Sequence, residues 1–145
     1  MSQPQAIAEA TRDRMFDGDA AAGLLGMQVT AIAPGTASVT MPVRAGLLNG
    51  FGICQGGLIA TLADTAFAYA CNSFGEVTVA SGFDIELLSP GREGDLLTAR
   101  AVMVSQASRT GVYDVDVRNQ NGERVAVFRG RCCRLNRPPP EPTRA

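Results

Sequence analysis

Histidine and tryptophan are absent from the 145 residues, and aromatics make up only 6% of them. The missing histidine excludes the most chemistry. A Ser-His-Asp triad, a Cys-His pair, histidine metal ligation and haem held by histidine all fall away. Any hydrolytic chemistry must come from carboxylates, amides and backbone dipoles. Neither sign of charge dominates: 13 basic against 14 acidic residues give a formal net charge of -1. That balance makes no electrostatic footprint for nucleic acid or an anionic membrane. No stretch reaches the roughly 18 apolar residues of a membrane span. The first twenty residues carry Asp13, Asp17 and Asp19 and lack the apolar run of a signal peptide. Cys54, Cys71, Cys132 and Cys133 form no C-x-x-C and no zinc spacing. No metal site and a cytoplasmic location with reduced thiols are therefore expected.

What is present suits one globular domain. The chain is 46% hydrophobic and 19% charged, an ordinary soluble composition. A domain of this length buries about 70% of the surface its unfolded chain would expose. The domain is expected over residues 1–135, with residues 136–145, rich in proline, as a disordered tail.

Residues 5–17 are good helix formers, and residues 18–26 read as a loop or short turn. Two strands follow at 27–33 and 36–43, with Pro34-Gly35 as the turn between them. A glycine-punctuated loop then leads into residues 56–73, which are Ala-rich, free of proline and apolar on nearly every side. Such a segment is a buried helix. Four β runs come after it. Tyr113, Val115 and Val117 alternate with Asp114, Asp116 and Arg118, as in a sheet with one wet face. Asn121-Gly122 marks a hairpin before the last run. One buried helix against an antiparallel sheet is an α+β layer arrangement. A single sheet wrapped on one helix leaves the other face of the sheet exposed, so a dimer that covers it is expected.

Three features converge on one stretch. Gly56-Gly57 opens the long helix, where unpaired backbone N–H groups favour negative charge and a ligand can come close. The same pair would also serve as a plain loop-to-helix junction. Asp64 is the only formal charge between Arg44 and Glu76 and lies among Leu62, Ala63, Ala66, Phe67 and Ala68. A carboxylate there is costly unless it is exposed, hydrogen-bonded or used. If used, burial would raise its pKa toward general-base duty. Asn49 and Gln55 are amides flanking the loop, able either to cap it or to donate to a ligand. Gly56 and Asp64 lie about 12 Å apart along one helix axis. A reacting carbonyl must lie within roughly 3–3.5 Å of both donor and nucleophile. If both residues act, they come from two different subunits.

The string LLNGFGICQGGLIATLADTAFAYACNS resembles the core motif of hotdog-fold acyl-CoA thioesterases of the phenylacetic acid degradation (PaaI) family. The likeness runs from about Met15 to about Arg134 and includes GVYDVDVRNQ and VAVFRG. It implies a hotdog fold, a long helix wrapped by an antiparallel sheet. It also implies a homodimer with shared sites, assembled as a homotetramer. The implied reaction is hydrolysis of phenylacetyl-CoA or its ring-hydroxylated relatives in phenylacetate catabolism, with coenzyme A as part of the substrate and no cofactor.

By motif position, Asp64 matches the family's catalytic carboxylate. Gly56 matches the carbonyl-polarising glycine, and Asn49 the asparagine that places water or carboxylate. Gln55 departs from the family's usual His-Gly-Gly; it keeps a donor and loses a charge. Gly57, Leu48 and Phe51 are expected to meet substrate, with Leu47, Leu62 and Phe67 as further acyl-pocket candidates that core packing would equally explain. Thr78 and Ser81 are candidates for reaching the carboxylate or water. Arg92 and Arg109, the latter followed by Thr110 and Gly111, are candidates for the coenzyme A phosphates. The alternative to an enzyme is a non-hydrolytic acyl-CoA-binding hotdog, a sensor or carrier weakened by Gln55. Enoyl-CoA hydration would need the histidine that this chain lacks.

Overall fold

The computed structural model describes residues 2–137, so the expected tail falls outside the described residues from position 138 onward. Helix α1 (Gln3–Asp17) starts two residues earlier than periodicity suggested, because Ser2 caps it by accepting from the Gln5 backbone N–H and Pro4 occupies its first turn. The expected loop at 18–26 holds a short helix, α2 (Ala20–Leu24). Asp19 caps it, accepting from Ala22 N–H at 3.1 Å. Five residues are too few for a hydrophobic period to register.

Six strands form one antiparallel sheet in the order β1-β2-β4-β5-β6-β3. They are β1 (Gln28–Ala33), β2 (Thr36–Pro42), β3 (Thr78–Leu87), β4 (Leu96–Ala107), β5 (Thr110–Arg118) and β6 (Arg124–Arg134). Strands β5 and β6 meet through the Asn121-Gly122 turn, where Gly122 takes the left-handed conformation at φ +79°. Asn119 Oδ1 braces that turn by accepting from Asn121 and Glu123 N–H. The alternation in β5 separates the two faces. Tyr113, Val115 and Val117 are buried. Asp114 and Asp116 face outward and accept from Arg129 and from Arg118 and Arg124.

Helix α3 (Gly56–Asn72) lies on the inner face of the sheet, with Ile59, Leu62, Ala63, Ala66, Phe67, Tyr69, Ala70 and Cys71 buried. Its alanines let the sheet approach closely, and Gly130 on β6 sits directly against the Phe67 ring. The C-terminal end of α3 is clamped by the β1–β2 turn. Gly35 N–H donates to the buried Ser73 hydroxyl at 2.8 Å, and Ser73 Oγ donates to Ala70 C=O. This is the hotdog arrangement.

One expectation needs correction. Although α3 is apolar on nearly every side, it is not enclosed. Its side bearing Gly57, Thr61, Asp64 and Ala68 is only part-covered or exposed, because the sheet wraps the opposite side. Next to it runs β3, an edge strand. Val79, Phe83 and Leu87 on β3 are 42–52% exposed.

Candidate active site

The start of α3 is built by the loop before it. A β-bridge between Leu48 and Cys54 closes that loop at its base. Asn49 spans it, with N–H donating to Ile53 C=O and Oδ1 accepting from Phe51 and Ile53 N–H. Loop capping therefore accounts for one half of the Asn49 amide. Its Nδ2 has no acceptor among the described residues. Cys54 N–H donates to Gly91 C=O and Gln55 N–H to Leu47 C=O, which fixes the entry into the helix.

Gln55 is the N-cap residue, yet its exposed side chain caps nothing. Its backbone carbonyl accepts from Leu58 and Ile59 N–H. The N–H groups of Gly56 and Gly57 have no acceptor among the described residues. Two aligned, unpaired donors at a helix N-terminus are suited to an oxygen carrying negative charge.

Beside them is a cavity of about 360 Å³ lined by Asn49, Ile53, Cys54, Gly56, Ile59, Leu87, Leu88, Ser89 and Pro90. No lining residue is charged. Burial pushes the Cys54 thiol up, away from thiolate chemistry. A larger hollow of about 550 Å³ lies across the outer side of the sheet and includes Asp114, Asp116, Arg124 and Arg129. Those four charges pair with one another, and it is the smaller cavity that adjoins Gly56 at the start of α3.

Asp64 lies two turns along α3 on the part-covered side. No group among the described residues donates to its carboxylate. Thr61, three residues earlier, has a hydroxyl within reach by helical spacing, but it donates to Gly57 C=O instead. Desolvation by burial raises the Asp64 pKa. An unpartnered, part-buried carboxylate of raised pKa on an accessible face is equipped to take a proton.

The remaining candidates divide in space. Arg92 is exposed in the loop that begins Ser89-Pro90, two residues beyond the Pro90 that lines the cavity. Leu48 is part-buried and Phe51 is 92% exposed at the loop tip. Leu47, Leu62 and Phe67 are corrected to core residues. They are at most 4% exposed, and Phe67 packs against Tyr113 and Phe128.

Thr78, Arg109, Thr110 and Gly111 gather at the other end of α3, about 24 Å from its start by helix rise. There Thr78 exchanges hydrogen bonds with the Asn72 side chain, while Thr110 and Gly111 pair with Cys133 and Cys132. The Thr78 hydroxyl donates to Glu76 C=O. Ser81, at a bulge in β3, donates to Arg131 C=O. One chain does not bring these residues to Gly56. The sequence reading missed Leu87, Leu88, Ser89, Ile53 and Ile59. The apolar character of the leucines and isoleucines was visible, but nothing linear sets residue 87 beside residue 56. Among the described residues no cluster of three potential metal ligands occurs, and no helix is long and apolar enough to cross a membrane.

The chain belongs to the thioesterase superfamily, whose family model matches residues 51–126. Within that family it is 49% identical over 121 residues to the acyl-coenzyme A thioesterase PaaI of Escherichia coli (strain K12), covering 83% of this chain and 86% of the relative. The structure of the E. coli PaaI protein from the phenylacetic acid degradation operon superposes with a TM-score of 0.92 at 44% identity, over 94% of this chain and 99% of that one. A Streptococcus mutans protein solved bound to acetyl CoA superposes with a TM-score of 0.75 at 28% identity, over 78% of this chain and 91% of that one.

Proposed function

We propose that this protein is an acyl-CoA thioesterase that hydrolyses phenylacetyl-CoA or a ring-hydroxylated phenylacetyl-CoA to the free acid and coenzyme A. The observation that carries the reading is one helix bearing both halves of a hydrolytic site. Unpaired Gly56 and Gly57 N–H groups stand at its start, and an unpaired carboxylate of raised pKa, Asp64, stands two turns on.

The thioester carbonyl accepts from Gly56 N–H, which with the helix dipole holds the developing oxyanion. Asp64 activates water as general base, or attacks to give a mixed anhydride that water then cleaves. Gln55 and Asn49 Nδ2 orient the thioester and the water. The roughly 12 Å between the two groups is too far for one carbonyl, so Gly56 of one subunit works with Asp64 of another. The part-covered side of α3 and the open edge of β3 supply the surface for that homodimer, and two dimers form the tetramer. In this assembly Thr78, Ser81, Arg109, Thr110 and Gly111 flank the Asp64 half and Arg92 the Gly56 half, where the arginines meet the coenzyme A phosphates. No cofactor takes part, and the enzyme works in the cytoplasm.

A non-hydrolytic binder has no use for the desolvated Asp64, and no relative named above favours that reading. The test is release of coenzyme A thiol from phenylacetyl-CoA against a panel of short, long and hydroxybenzoyl thioesters, with Asp64→Ala alongside. Turnover that is lost in Asp64→Ala and survives EDTA supports the reading. Turnover unchanged in Asp64→Ala overturns the mechanism.

A further inference from the structure

We infer that Leu87 is a specificity-determining residue whose side chain sets the width of the acyl pocket at the oxyanion end of α3. The inference rests on the proposed role of Gly56. A Cβ added at Gly56 would lie 2.6 Å from Leu87 Cδ1. The leucine tip therefore presses against the very residue whose N–H receives the carbonyl, and any acyl group attached to that carbonyl must pass it.

The backbone beneath this side chain is fixed. Leu87 pairs with Ala126 across the β3–β6 ladder, and Leu88 and Ser89 N–H both donate to Val125 C=O. The residue is 52% exposed in the single chain, so the core of its own chain does not lock its rotamer. A rigid backbone carrying a free branched side chain sorts ligands by side-chain volume. Gly56 leaves the space that Leu87 Cδ1 enters, so residue 56 and residue 87 together define the width.

The chemistry of the wall says which part of the substrate meets it. Ile53, Ile59, Leu87, Leu88 and Pro90 are apolar, and the polar side chains offered are those of Asn49, Cys54 and Ser89. The arm of coenzyme A carries two amides and leads to charged phosphates, which this wall cannot match. An uncharged, largely apolar acyl group can be desolvated there.

The experiment compares wild type, Leu87→Ala and Leu87→Phe on acetyl-, phenylacetyl- and naphthylacetyl-CoA. It also uses phenylacetyl thioesters of coenzyme A, pantetheine and N-acetylcysteamine. The naphthylacetyl to acetyl ratio of kcat/KM is expected to rise tenfold or more in Leu87→Ala and to fall in Leu87→Phe, since one methylene in such a pocket is worth roughly 10–200-fold. The ranking of the three thiol portions is expected to stay as in wild type. The same ratios are read as Kd values of non-hydrolysable thioether analogues by calorimetry. A wild type that binds but does not hydrolyse would sink the proposed function and still report on Leu87. Acyl ratios within twofold of wild type in both variants overturn the inference, as does a change confined to the thiol ranking. A wild type that neither hydrolyses the thioesters nor binds the analogues overturns both readings.

Discussion

The Tyr69 hydroxyl donates to Asp19 Oδ2 at 2.9 Å while Asp19 Oδ1 caps α2. One carboxylate thus joins the long helix to the short one before β1. Tyr69 is 1% exposed. Burial, then the Asp19 charge and this hydrogen bond, push its pKa far above the ordinary tyrosine value, so the phenol stays a donor throughout the working range. Tyr69→Phe removes only the hydroxyl. The expected loss is about 1.5–3 kcal/mol, the range for a hydrogen bond to a charged group. Thermal or urea unfolding checks this, and a variant as stable as wild type would show the link to be idle.

Asp64 ties activity and stability to pH in opposite directions. In the proposed mechanism its ionised form is the active one, and burial raises its pKa. Activity should therefore decline on acidification at a higher pH than an ordinary surface carboxylate would give. For stability the sign reverses. A carboxyl whose folded pKa exceeds its unfolded one binds protons more tightly when folded, so it contributes most below the unfolded pKa. That contribution is lost as pH rises through the folded pKa. Asp64→Asn is thus expected to gain stability over wild type at neutral pH, with the gain shrinking in acid, while turnover falls by about 10²–10⁴. Paired pH–rate and pH–melting curves decide it; an acid limb at the ordinary aspartate pKa would contradict the burial argument.

Gln55 should report on chemistry alone. Its side chain is exposed and makes no cap hydrogen bond. Gln55→Ala is expected to change stability by less than about 0.5 kcal/mol. Loss of its hydrogen bond toward the thioester is expected to lower turnover by up to about 10²–10³, the scale for a deleted oxyanion donor. Gln55→His tests whether an ionisable donor at this position raises the rate. Equal rates for wild type and Gln55→Ala would remove the amide from the mechanism.

Gly130 gives a purely structural counterpart. A Cβ there would fall 2.8 Å from Phe67 Cε1 and Cζ, on a ring already packed against Tyr113 and Phe128. The rigid ring has little room to yield. Gly130→Ala is expected to destabilise by about 1–3 kcal/mol, as overpacked cores do. Gly56→Ala should be milder in stability, because the clash there is with the tip of the flexible Leu87. Melting temperatures of the two variants in the reverse order would refute this ranking.

Much of this architecture was legible because its signals are periodic or local. The Ala-rich run of α3, the alternation through Tyr113, Val115 and Val117, and the Asn121-Gly122 turn each act within a few residues. Asp64 stood out because a lone charge in an apolar helix has few reasons to exist. Helix α2 escaped because its only signal is the Asp19 cap. The Leu87–Gly56 contact escaped because it depends on how β3 lies beside α3, a relation between distant positions that no sequence window contains. The same limit applied to Thr78, Arg109 and Gly111, whose residue types suited a site while the topology set them at the far end of the helix.

The Ser73 hydroxyl that receives Gly35 N–H and donates to Ala70 C=O makes two distant segments answer to one opening event. The β1–β2 turn cannot lift without stripping a polar group from the last turn of α3, and that turn cannot fray without orphaning a turn amide. Hydrogen exchange should therefore find the Gly35 amide and the amides of the last turn of α3 released together, as one cooperative unit. The sheet edge farthest from β3 then shares its fluctuations with the helix that carries Asp64.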